Sequence, residues 1–139
     1  MTYEEKGVWV YLVVTLGAYG TYLAIVLGQL AATPVAEIDY VPALLWTIGA
    51  SIAAAIVLRI VVEMFGPSES QKADARDRDL KRTGDRLGGW PIIAGALGAL
   101  VLAIVQAEYF WIANSIYLGF AASAVLSSVI TIVLYRRGL

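Results

Sequence analysis

Apolar positions fall in four long runs, 8–30, 41–65, 90–107 and 111–135, and one densely charged segment, 66–88, divides them two and two. Each run is long enough to cross a bilayer as a helix. A hydrocarbon core about 30 Å thick needs roughly 20 residues, because a helix rises about 1.5 Å per residue. The pattern predicts an all-α fold: a polytopic transmembrane four-helix bundle, a single domain over 1–139, with a charged connection between its second and third spans.

Local signals sharpen the boundaries. Thr2 with Glu5 fits a capping box, which starts the first helix near Tyr3. That helix ends near Leu30, before Thr33-Pro34. Pro42 and Pro91 suit the first turns of the second and third helices, where a missing N–H is harmless. Gly66-Pro67 stops the second helix. In the connection, Ser68 with Gln71 offers another capping box. Asp74/Arg78, Asp77/Lys81, Arg76/Asp79 and Asp79/Arg82 are spaced as helical ion pairs. Leu80 and Leu87 are nearly its only large apolar residues, so this helix has little to bury, and Gly84 is its expected end. The third span is expected to finish near Gln106 and the fourth to run from about Phe110 to Tyr135.

The basic residues set an orientation. Lys6, the six in 66–88 (Lys72, Arg76, Arg78, Lys81, Arg82 and Arg86), Arg136 and Arg137 all fall on one side of four spans. The opposite connections carry Glu37, Asp39 and Glu108 and no Lys or Arg. By the positive-inside rule this predicts a multi-pass protein of the inner (cytoplasmic) membrane with both termini cytoplasmic. Trp9, Tyr11, Trp90 and Tyr135 would lie at the inner interface, and Tyr40, Tyr109, Phe110 and Trp111 at the outer one. The start, Met1 to Lys6, lacks a basic leader region, so the first run reads as a retained helix and not a signal peptide.

Composition removes chemistry more than it adds any. With 60% hydrophobic residues in 139, little chain is left for a separate soluble domain. There is no Cys and no His, so thiol nucleophiles, disulfides, the commonest metal ligand and the usual neutral-pH proton shuttle are excluded. A net charge of −1 gives no reason to expect nucleic acid. No phosphate loop, nucleophile elbow or metal-ligand cluster is visible, and the expected cofactor set is empty.

Four features carry what remains. Ser115, Gly119, Ser123, Ser127 and Thr131 recur every fourth residue in the fourth span, a stripe on which another helix can approach closely. Shorter versions occur as Gly20, Ala24 and Gly28 in the first span, Gly49/Ala53 and Ser51/Ala55 in the second, and Ala94/Gly98 and Gly95/Ala99 in the third. These stripes are read as packing within one bundle, with a homodimer face or a permeation lining as the alternatives. Arg59 and Glu63, four apart in an apolar run, form a candidate intramembrane ion pair. The structural reading is an interfacial pair with Arg59 snorkelling to headgroups, and the functional reading makes Glu63 a coupling carboxylate. Gln29, Gln106 and Asn114 gather toward the outer side, where bonds across helices or to headgroups are expected. Finally, Gly7-x-Trp9 and Leu16-Gly17-Ala18 recur as Gly88/Trp90 and Leu97-Gly98-Ala99, as a duplicated hairpin in parallel orientation would give.

Tyr3-Glu4-Glu5-Lys6-Gly7, Trp46-Thr47-Ile48-Gly49-Ala50, Arg59-Ile60-Val61-Val62-Glu63, Lys72-Ala73-Asp74-Ala75-Arg76-Asp77, Phe110-Trp111-Ile112-Ala113-Asn114 and Tyr135-Arg136-Arg137-Gly138 together resemble a group of small, uncharacterised bacterial membrane proteins, chiefly actinobacterial. The resemblance spans nearly the whole chain. It implies four spans and a charged cytoplasmic connection, and it implies no activity.

The expected function is therefore a non-enzymatic accessory, regulatory or scaffold protein in the lipid bilayer. Lys72, Arg76, Arg78, Lys81, Arg82 and Arg86 would meet a cytoplasmic protein partner or anionic lipid. The alternative is a small oligomeric transporter or channel.

Overall fold

The computed structural model describes residues 3–65 and 75–138. The Thr2 capping box, the Gly66-Pro67 stop, the Ser68/Gln71 box, Lys72 and the Asp74/Arg78 pair involve positions outside the described residues. Among those described there are five α-helices and no strand: α1 (Tyr3–Leu30), α2 (Val41–Phe65), α3 (Ala75–Gly88), α4 (Trp90–Ile104) and α5 (Tyr109–Arg136), with a short 3-10 turn at Val35–Glu37. α1, α2, α5 and the rod Ala75–Ile104 are each long and apolar enough to span a membrane.

The helices form a bundle whose main contacts run in a row: α2 on α1, α1 on α5, and α5 on α4 and α3. α1 turns one row of side chains inward. Val10, Val14, Tyr22 and Val26 lie on one four-residue row and are buried. α2 is the outermost helix, and Thr47 is its one buried residue. Its Trp46 and Phe65 are 78% and 86% exposed. An outward surface this apolar is suited to lipid and not to water, so the chain is a multi-pass membrane protein.

Two ends can be distinguished. At the loop end, Tyr22, Val26, Ile38 and Phe110 form a buried cluster joining α1, the first connection and α5. At the charged end lie the start of α1, the ends of α2 and α5, and α3. Phe110, expected at the interface, is only 4% exposed and belongs to the core, while Tyr109 and Trp111 stay outside.

α4 stops at Ile104, two residues before the expected Gln106. Gln106 takes a left-handed φ of 56°. Its N–H donates to the Ala103 carbonyl (3.1 Å) and that of Ala107 to the Leu102 carbonyl (2.9 Å), a Schellman stop built on Gln where Gly is usual. The helix then restarts at once as α5.

The charged helix differs most from expectation. Gly84 does not end it; α3 runs to Gly88, and only Gly89, in right-handed helical conformation, separates it from α4. The interruption follows from Pro91, which has no N–H to give the preceding turn. α4 alone has 15 residues, about 22 Å of helix against a core of about 30 Å. The last turns of α3 therefore lengthen the third span beyond α4.

Candidate functional site

The α5 stripe sets the geometry of the α3–α4 rod. The rod meets the stripe in antiparallel order: Gly84 faces Thr131, Gly88 faces Ser127 and Ser123, Pro91 and Gly95 face Gly119, and Gly98 faces Ser115. The fit leaves no room for added atoms. A Cβ on Gly95 would lie 2.7 Å from the Ser115 carbonyl oxygen and 2.9 Å from Gly119 Cα, and one on Gly119 would lie 2.8 Å from the Pro91 carbonyl oxygen. A Cβ on Gly84 would meet the Thr131 hydroxyl. Two stripe hydroxyls donate across this seam, Ser115 to the Gly95 carbonyl and Ser123 to the Gly88 carbonyl, each at 2.8 Å. Thr131 instead bonds back to the Ser127 carbonyl of its own helix. The stripe is thus occupied by the chain's own α3 and α4. The rows in α1 and α2 are not: Gly20, Gly28 and Gly49 have open space where a Cβ would stand. The packed row of α1 is Val10, Val14, Tyr22 and Val26, which leaves Gly20 and Gly28 outside.

At the charged end the predicted Arg59–Glu63 partnership is replaced by bonds between helices. Glu63 pairs with Lys6 of α1 at 3.6 Å. Arg59 lies against α1, its guanidinium 3.9 Å above the Tyr3 ring and one Nη donating to the Tyr3 carbonyl at 3.3 Å. Gly7 makes this possible, since a Cβ there would collide with the guanidinium. Glu5, buried, pairs with Arg136 of α5 at 3.6 Å. The exchange has a simple cause: α1 presents Lys6, Gly7 and the Tyr3 carbonyl directly to the last turns of α2, and an interhelical bond adds packing that an intrahelical one lacks. The Arg59 Nε remains buried with no partner among the described residues.

α3 is more than a solvated helix. Leu80 and Asp77 are buried, at 6% and 5% exposure, while Leu87 is not. Tyr135 donates its hydroxyl to Asp77 Oδ1 at 2.5 Å, and Arg76 sits 5.8 Å from the same ring. Arg78, Lys81, Arg82 and Arg86 are exposed on the remaining faces. Between α1 and α2 on one side and α3 and α5 on the other lies a polar cavity of about 320 Å³, lined among others by Glu4, Arg59, Lys81, Asp85, Ser128 and Thr131.

A second polar group, near the loop end, ties three helices together. Tyr22 of α1 donates to Asn114 Oδ1 of α5 at 2.6 Å, and Asn114 in turn donates to the Phe110 carbonyl at 2.8 Å. Thr47 of α2 and Tyr117 of α5 share a hydrogen bond of 2.9 Å. The rings of Tyr19, Tyr22 and Tyr117 pack within 4.7–6.0 Å of one another. Asn114 was visible in the sequence as a cross-helix candidate. The tyrosines were not, because a Tyr in an apolar run carries no mark of depth. Gln106 serves the turn already described.

No group of three or more Asp and Glu residues among those described could hold a metal ion. No family model, curated protein or solved structure matches the chain.

Proposed function

We propose that this protein is a membrane-embedded accessory or scaffold protein that presents α3 as a fixed charged platform on the cytoplasmic face. The observation that carries this reading is the mooring of α3. Asp77, Leu80, Gly84 and Gly88 fasten one side of the helix to α5, and Arg78, Arg82 and Arg86 are left exposed on the other sides. A charged segment needed only to obey the topology rule has no use for such fastening. Moored, it holds a constant pattern of charge that a partner or anionic headgroups can read. The distribution of Lys and Arg supports a cytoplasmic location for this face and for both termini.

The test is a variant with Arg82 and Arg86 both changed to Gln. Insertion and thermal stability should match the parent, and in-cell cross-linking should lose the proteins captured by the parent. Capture of the same set by the variant would sink the reading.

A further inference from the structure

The polar cavity at the charged end does not stand alone. Tyr11 lines it and also lines a larger, mostly apolar groove between α1, α2 and α5. That groove has a volume of about 550 Å³ and includes Ala18, Ile48, Ile52, Phe120 and Ala124. The two spaces follow one another along every helix they share. On α5, Ser127 and Ser128 of the cavity follow Ala124 of the groove by one turn, and on α2, Arg59 follows Ile52 by two. From Ala113 to Ala124 the groove extends about 16 Å at about 1.5 Å per residue, close to half of a bilayer core of about 30 Å. The Thr47–Tyr117 bond bridges α2 and α5 near its loop end, and these two helices are not among the main packed pairs.

The charges choose the occupant. Arg59 has no carboxylate partner among the described residues, and its Nε is buried and unsatisfied. Guanidinium groups bind phosphate oxygens in a forked geometry. Lys81 lines the same space and supplies a second cation, but Glu4 and Asp85 line it too. Two cations and two anions leave the cavity close to neutral, which disfavours a multiply charged free phosphate. A phosphodiester that brings its own ammonium group suits all four. From this geometry we infer that the joined cavity and groove form a binding site for one zwitterionic glycerophospholipid. Arg59 and Lys81 take the phosphodiester, Glu4 and Asp85 take the headgroup ammonium, and one acyl chain lies in the groove between α1, α2 and α5. Such a lipid is an integral ligand, distinct from the lipid that solvates the outer surface.

Native mass spectrometry of the full-length, delipidated protein tests this by titration with four probes: a phosphatidylethanolamine, a phosphatidylglycerol and a diacylglycerol with the same chains, and inorganic phosphate. The expected result is a saturable one-to-one adduct with the phosphatidylethanolamine and at least tenfold weaker uptake of the other three. Arg59→Gln should weaken the adduct tenfold or more. Lys81→Gln, at an exposed position with no bond to another described residue, should weaken it severalfold and decides the matter should the Arg59 variant not fold. Equal uptake of diacylglycerol would mean that acyl chains alone drive binding, and equal uptake of phosphatidylglycerol would remove the ammonium contact. Inorganic phosphate binding as tightly would remove the lipid, and an adduct unchanged by Lys81→Gln would remove the cavity. Each of these results overturns the assignment.

Discussion

Adding one methyl group at Gly95 should separate the two most closely packed helices of the bundle. The new Cβ would fall 2.7 Å from the Ser115 carbonyl oxygen and 2.9 Å from Gly119 Cα, both backbone atoms that cannot rotate away. α4 must therefore move off α5, which also stretches the 2.8 Å bond from Ser115 to the Gly95 carbonyl. Overpacking of this kind costs about 1–3 kcal/mol, and the better helix propensity of Ala returns about 0.5–1 kcal/mol, for a net loss of up to about 2.5 kcal/mol. Gly20→Ala is the matched control, because nothing lies within 4 Å of its new Cβ; only the propensity gain of up to about 1 kcal/mol remains. Reversible unfolding in mixed micelles, titrated with a denaturing detergent, reads both shifts. Gly119→Ala alone should resemble Gly95→Ala, and the double variant should cost less than the sum, since helices once parted accommodate the second methyl cheaply. Equal behaviour of Gly95→Ala and Gly20→Ala would refute the close seam and the argument built on it.

Two further outcomes follow from single bonds. Tyr22→Phe removes the 2.6 Å bond to Asn114 without changing shape, and the same titration should register a loss of about 0.6–1.7 kcal/mol, the range of interhelical side-chain bonds in membranes; no shift would mean that Asn114 finds another donor. Tyr135→Phe removes the donor to Asp77 Oδ1, a bond to a charged group of a kind contributing about 1.5–3 kcal/mol. Amide exchange across Ala75–Gly84 should then quicken by roughly tenfold or more while α4 keeps its protection, and uniform exchange in both helices would show that the hydroxyl does not moor α3.

The spans were legible because lipid demands length and apolarity in one continuous run, a constraint that overrides local detail. The end of α1 fell where Leu30 placed it. The end of α4 did not, because Gln at a left-handed position gives no sequence signal of the kind Gly gives. α3 was misjudged at Gly84 for a related reason. A Gly in a helical pattern marks either a stop or a close approach, and only the neighbouring helix distinguishes them. The α5 stripe was visible as a period of four, but its partner was not. The facing row, Gly84, Gly88, Pro91, Gly95 and Gly98, alternates steps of four and three and straddles two helices. At the charged end, spacing within α2 pointed Arg59 to Glu63. Sequence spacing cannot see across helices, so the competing claims of Lys6 and Tyr3 stayed hidden.

Gly89 holds a further meaning. Since it keeps the helical turn, the arm outside the bilayer and the rod inside it are one stiff lever, gripped along its length by α5. A molecule that seizes the arm therefore pulls on the buried rod at the same time, and a change in bilayer thickness that tilts the rod swings the arm beside the membrane.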